Sequence, residues 1–264
     1  MTFPVDETHL AFADRLADAA GAVARRYFRQ KLAVDDKADA SPVTIADREA
    51  EAAMRALIAA EYPEHGIFGE EHGRERVDAE FVWVLDPIDG TKSFISGVPL
   101  FGTLIALLHR GWPVLGIIDQ PISHERWHGL AGQPSTLNGA PIRTRGCERL
   151  AAATLFAGSP DQFRGSTDEA AYRRLVGSVK LTRYNGDCYA YGLLAAGFID
   201  VVCEAGLKPY DFCAVLPVIE GAGGIMTGWD GKTLGLDSGG HVVAAGDRRA
   251  HAAALKVLGS HTGP

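Results

Sequence analysis

Phe81-Val82-Trp83-Val84-Leu85 is an unbroken apolar run that stops at Asp86-Pro87-Ile88-Asp89-Gly90-Thr91. A run of that length, rich in Val and aromatics and bounded by turn residues, reads as a strand buried on both faces. Such a strand has to be covered by other elements of the chain. Its carboxyl end carries two carboxylates with a stiff proline between them, then a glycine that permits close backbone approach and a threonine hydroxyl. Carboxylates suit a hard cation, and free amides at a following helix start suit an anion. That combination is what metal-assisted hydrolysis of a phosphate ester requires. The plainer reading of the same residues is a strand-end turn with an Asp cap.

The flanking sequence supplies the cover. Leu10, Ala13, Leu16, Ala20, Val23 and Tyr27 recur at helical spacing and predict an amphipathic helix over Glu7 to Phe28. Lys31 to Pro42 is polar, a connector or short strand. A second helix is expected from Ile45 to Glu61, with Thr44 as N-cap and Pro63 as its stop. After the central strand, Thr103 to Leu108, Val114 to Ile118 and Arg126 to Ala131 read as further strands. From Cys147 the texture becomes alternating. Strands are expected at Ala151 to Phe156, Lys180 to Tyr184, Ile199 to Glu204 and Val242 to Ala245. Helices are expected at Asp168 to Val176, Tyr189 to Ala196, Phe212 to Glu220 and Arg248 to Leu258, with Pro217 awkwardly placed. This is an α/β (α+β) pattern.

Composition narrows the partners. The 264 residues carry a net charge of −7, which argues against a nucleic-acid backbone as partner. It does not argue against a small phosphate ester, because a bound cation reverses the local sign. Cys147, Cys188, Cys203 and Cys213 form no CxxC pair and read as reduced, buried thiols. No apolar run is long enough to span a membrane, and the acidic first residues do not read as a signal peptide, so a cytoplasmic protein is expected.

Three further segments belong with the central strand. Gly69-Glu70-Glu71 alone reads as a solvated loop, and Pro209-Tyr210-Asp211 as an N-capped helix start. Glu220-Gly221-Ala222-Gly223-Gly224 reads as a helix end. Taken in order with Ser41-Pro42-Val43-Thr44-Ile45-Ala46-Asp47, they cover nearly the whole chain. The chain thereby resembles the inositol monophosphatase superfamily of Mg²⁺-dependent, lithium-sensitive phosphatases. The resemblance implies the layered α-β-α-β-α sandwich of the inositol monophosphatase and fructose-1,6-bisphosphatase type. It implies one catalytic unit, softly divided into residues 1–146 with most metal ligands and 147–264 with the last one. It also implies a homodimer and two to three Mg²⁺ ions. Glu70, Asp86 and the Ile88 carbonyl are implied for the first ion, and Asp86, Asp89 and Asp211 for the second. Glu70 is implied to help hold a third ion and its water. Thr91 paired with Asp47 is implied to polarise the attacking water, and the Gly90 and Thr91 amides to hold phosphate oxygens. Tyr210 stands where the superfamily commonly has Trp.

Within the superfamily, Tyr184 to Gly192, Gly206 to Asp211 and Thr91 to Gly97 resemble the histidinol-phosphate phosphatase branch. Histidinol phosphate carries an ammonium and an imidazole, and a carboxylate facing the pocket suits such a cation. Asp187 and Glu204 are the candidates, with Arg183 contacting either the substrate or a neighbouring subunit. The plainer readings are Asp187 as N-cap of the helix from Tyr189 and Glu204 as a surface acid. An inositol-1-phosphate phosphatase or a broad sugar phosphatase is the alternative, and a non-catalytic phosphate-ligand binder is the alternative of another class. Gly231-Lys232-Thr233 lacks the upstream glycine of a nucleotide loop, and His124 and His128 bracket a strand-like stretch.

Overall fold

The computed structural model describes residues 4–31, 33–36 and 42–259, so Ser41 lies outside the described residues. Helix α1 (Glu7–Tyr27) starts at Asp6, whose carboxylate accepts from the Thr8 and His9 amides. A two-stranded arm, β1 (Asp35–Asp36) against β2 (Pro42–Val43), leads into α2 (Ile45–Glu61). Thr44 caps α2 reciprocally. Its hydroxyl accepts from the Ala46 amide at 3.1 Å, while its own amide and hydroxyl donate to Asp47 at 2.8 and 2.7 Å.

The next stretch builds the larger sheet from β3 (Gly66–Gly69), β4 (Gly73–Glu75), β5 (Phe81–Asp89), β6 (Gly102–His109), β7 (Trp112–Gln120), β8 (Glu125–Leu130), β9 (Thr136–Leu137) and β10 (Ala140–Pro141). A short helix, α3 (Thr91–Ile95), sits between β5 and β6. The eight strands lie in the order β10-β9-β8-β7-β6-β5-β3-β4. The remaining chain alternates: β11 (Thr154–Ala157), α4 (Glu169–Val176), β12 (Leu181–Tyr184), α5 (Asp187–Ala195), β13 (Val201–Glu204), α6 (Pro209–Phe212), α7 (Val215–Gly221), β14 (Ile225–Gly228), β15 (Val242–Ala245) and α8 (Arg248–Gly259). Its five strands lie in the order β12-β11-β13-β15-β14.

Strand alternation sorts the core into layers. Trp83 and Leu85 of β5 face α1 and α2, packing with Phe12, Leu16, Met54 and Ile58. Val82 and Val84 face the other way, onto α5 and α7 through Tyr191, Leu194, Val215 and Ile219. That same middle layer is closed from beyond by Val202, Met226, Val242 and Ala244 of the smaller sheet. The outer face of the smaller sheet, with Leu155, Val201 and Val243, is covered by Leu175 of α4 and Ala250, Ala254 and Leu258 of α8. The result is the α-β-α-β-α sandwich expected from the resemblance. The four cysteines are free and buried. Among the described residues no helix is long and apolar enough to cross a membrane.

Several elements differ from the sequence reading, each for a local reason. The central strand does not end at Asp86. Asp86 pairs with Leu104 and Asp89 with Gly102, so β5 carries one residue more than β6 over this stretch and continues through a bulge that absorbs Pro87. The helix expected over Phe212 to Glu220 is two helices with a break at Cys213 and Ala214. Pro217 then falls in the first turn of α7, where a missing N–H leaves no helix carbonyl unserved. The strand expected from Ala151 starts at Thr154, after a 3₁₀ turn over Leu150–Ala152. The sequence pattern does not signal β3, β4 or β14.

The seat of α7 depends on two glycines that face each other across β7 and β8, Gly116 and Gly129. A Cβ on Gly116 would fall 1.9 Å from the Ala214 carbonyl oxygen, and one on Gly129 would fall 2.3 Å from the Val218 nitrogen. Gly116→Ala is therefore expected to lower unfolding stability by about 1–3 kcal/mol through overpacking against backbone, measured by urea or thermal unfolding.

Candidate active site

The bulge at the end of β5 turns both of its carboxylates toward one point. Asp86, Asp89 and, from α6, Asp211 bring ligand oxygens within 4.8 Å of one another. Local bonds fix each of them. Asp86 accepts from the Ile88 amide at 3.1 Å, Asp89 from the Cys188 amide at 2.5 Å, and Asp211 from the Lys208 amide at 2.6 Å. Glu70 opens the loop between β3 and β4. Its amide donates to the Leu85 carbonyl at 3.1 Å, and its carboxyl group is hydrogen-bonded with that of Asp86.

Negative charge is crowded here: Asp86 is buried, and Asp89, Asp211 and Glu70 are half-buried. Burial, then Glu70 and Asp89, drive the Asp86 carboxyl well above the usual carboxylate range. Burial, then Asp187 and Asp211, do the same to Asp89. Asp211 is pushed up to about 7, chiefly by burial. Lys208 eases Asp211, but like charges this crowded call for a further cation from outside. An all-oxygen set of carboxylates suits a hard divalent ion. The residues present therefore fit a metal centre.

Beside the acids, Asp47 is completely buried and spends one oxygen on the α2 cap. Its other oxygen receives the Thr91 hydroxyl at 3.4 Å, a long contact shared with the Ile88 carbonyl at 3.2 Å. Burial raises the Asp47 carboxyl above its ordinary value. Gly90 caps α3 with φ +88°, and a Cβ there would meet the Asp187 carboxylate at 2.6 Å.

That last contact brings Asp187 to the edge of the carboxylate cluster. It is not the N-cap of a helix starting at Tyr189: α5 begins at Asp187 itself, with Gly186 as the flanking residue. Asn185 and Asp187 have φ of +57° and +44°, left-handed values that side chains adopt at a cost. Ser93 donates to Asp187 at 2.9 Å. Glu204 is not a surface acid. It is 8% exposed, receives the Tyr191 hydroxyl at 2.8 Å, and burial raises its pKa to about 8. Arg183 is not drawn in: it is exposed on β12, its guanidinium over the Phe156 ring at 5.6 Å. Ser93 and Tyr191 were not singled out by sequence, since a lone hydroxyl gives no pattern. His128 pairs with Asp14 at 2.8 Å, and Lys232 with Asp230 at 2.8 Å, both away from this cluster.

Residues 6–262 match the inositol monophosphatase family. The chain belongs to that family. Members are phosphatases that use divalent metal ions. Among relatives, the bifunctional phosphatase IMPL2, chloroplastic, of Arabidopsis thaliana is 53% identical over 260 residues, 95% of this chain and 75% of that protein. The histidinol-phosphatase of Chlorobaculum parvum is 36% identical over 236 residues, 89% of this chain and 91% of that one. A solved inositol monophosphatase from Zymomonas mobilis superposes with a TM-score of 0.88 at 50% identity, covering 96% of this chain and 98% of that one.

Replacing Asp89 by Asn should relieve like-charge repulsion. The metal-free variant is expected to unfold at a higher temperature than the wild type at pH 8. It should also lose most of the stabilisation that a divalent cation is expected to confer on the wild type, about 2.7 kcal/mol at 100 times the dissociation constant. Calorimetric melting with and without Mg²⁺ reads both effects.

Proposed function

We propose that this family member is a Mg²⁺-dependent phosphomonoesterase that hydrolyses L-histidinol phosphate to L-histidinol and phosphate, in histidine biosynthesis. One observation carries the substrate choice. Two acids that are not needed for the metal cluster, Asp187 and Glu204, both lie close enough to Asp89 for their charge to raise its pKa. Each is held by a hydroxyl donor, Ser93 and Tyr191 respectively. The Asp187 carboxylate beside the phosphate end suits a substrate whose other end is cationic, and such a cation would also favour ionisation of Glu204. The similarity to a histidinol-phosphatase supports the same reading.

Glu70, Asp86, Asp89, Asp211 and the Ile88 carbonyl would hold two to three Mg²⁺ ions. When bound, these ions offset the phosphate charge and lower the pKa of a coordinated water. The chain's own residues do the rest. Thr91 Oγ1 donates toward Asp47, so its lone pair is free to orient the attacking water, and the buried Asp47 carboxylate is the base toward which the proton moves. The Gly90 and Thr91 amides, which serve no acceptor among the described residues, would take phosphate oxygens. Because the ligands come from β5, the β3–β4 loop and α6, the two halves act as one catalytic unit. Arg183, exposed on the strand that leads to Asp187, is left for the outer end of the substrate or for a second copy in a homodimer.

The alternative is an inositol-1-phosphate or broad sugar phosphatase, favoured by the likeness to a solved inositol monophosphatase. A phosphate-release assay separates the readings. Histidinol phosphate is expected to be turned over faster than inositol 1-phosphate, and only with Mg²⁺. Asp187→Asn should lower kcat/KM for histidinol phosphate by about 10- to 100-fold, the value of one charge-assisted bond, with inositol 1-phosphate little affected. Equal losses on both substrates would refute the role given to Asp187. Absence of release from any phosphoester would leave a binding protein.

A further inference from the structure

Glu51 is a buried carboxylate near the site that the proposed chemistry does not use. It lies on α2, its side chain has no exposure to solvent, and it does not belong to the metal-ligating cluster. Its two oxygens are nonetheless fully engaged. The Glu71 amide donates to one at 2.7 Å. The His72 amide at 3.1 Å and Arg55 Nε at 2.7 Å donate to the other. Arg55 also reaches on to the Gly73 carbonyl, and the His72 ring lies 3.1 Å from the Arg48 carbonyl. On the near side of the loop, Gly69 has no room for a side chain, since a Cβ there would sit 2.0 Å from the Glu51 carboxylate.

These contacts fall on both sides of Glu70 and spare Glu70 itself. Gly69 and Gly73 are cross-strand partners, so Glu70, Glu71 and His72 form a tight hairpin loop. A buried carboxylate is tolerated only when its oxygens are satisfied, and here that condition is met in one loop conformation. That conformation leaves the Glu70 carboxyl beside Asp86. We infer that Glu51, with Arg55, is a positioning residue that holds the Glu70 loop ready for the metal before any ion arrives. The inference rests on the reading of Glu70 as a metal ligand.

The test uses the full chain stripped of metal and titrated with Mg²⁺ in a calorimeter. Wild type, Glu70→Gln and Glu51→Gln are compared, with folding checked by circular dichroism. The folded Glu51→Gln protein is expected to bind Mg²⁺ about 10- to 100-fold more weakly than wild type, as loss of an outer-sphere partner does. Weak binding by Glu70→Gln together with wild-type affinity in folded Glu51→Gln would overturn the inference alone. Wild-type affinity in Glu70→Gln would remove Glu70 as a ligand and the inference with it. Should Glu51→Gln not fold, hydrogen exchange on metal-free wild-type protein decides. Slow exchange at the Glu71 and His72 amides supports pre-positioning, and fast exchange that slows only on adding Mg²⁺ overturns it.

Discussion

Like charges forced together at the end of β5 are the constraint around which the rest is arranged. Burial and neighbouring charge raise Asp86, Asp89 and Asp211, with Glu70 adding to the charge felt by Asp86 and Asp211, and Lys208 offsets part of it at Asp211. A chain does not hold such a group together by local preference. It takes two sheets and the helices between them. β5 sits deep in the larger sheet, between β3 and β6, and α6 arrives from the second half of the chain. The apolar middle layer, where Val82 and Val84 meet α5 and α7, supplies the packing that keeps the acids apposed.

Helix α2 shows how closely fold and chemistry are joined. Asp47, Glu51 and Arg55 recur every fourth residue and so share a face, next to the fully buried stripe of Ala46, Ala50, Met54 and Ile58. One oxygen of Asp47 starts the helix and the other meets Thr91. Loss of that side chain acts on stability and on the site together, so the two effects have to be measured side by side.

Much of this was legible in the sequence, and what was not has identifiable causes. The unbroken apolar run at Phe81 to Leu85 and the helical spacings of α1 and α2 bury continuous apolar surface, which is the signal that pattern reading detects. β3 is four residues with a glycine at each end, and it is a strand only because β4 and β5 flank it. Pro87 marks a strand end in sequence, whereas the bulge lets β5 run on to Asp89. The metal-ligand set was named through resemblance, since no spacing links Asp211 to Asp86. Glu51 sits among Arg48, Glu49 and Arg55 and has the look of a solvated helix face; only its complete burial sets it apart. The left-handed backbone at Asp187, which turns its carboxylate over Gly90, has no sequence signature in a residue other than glycine.

The glycine pair at Gly116 and Gly129 has a consequence beyond packing. The Ala214 carbonyl that rests on Gly116 lies just past the short helix carrying Asp211, so the depth at which that stretch of chain settles on the larger sheet also sets where the last acid stands. Two residues with no side chain, on strands remote from the reacting groups, thereby act as a height adjustment for the metal centre. Lineages could retune its grip on cations by altering that floor while every acid stays in place.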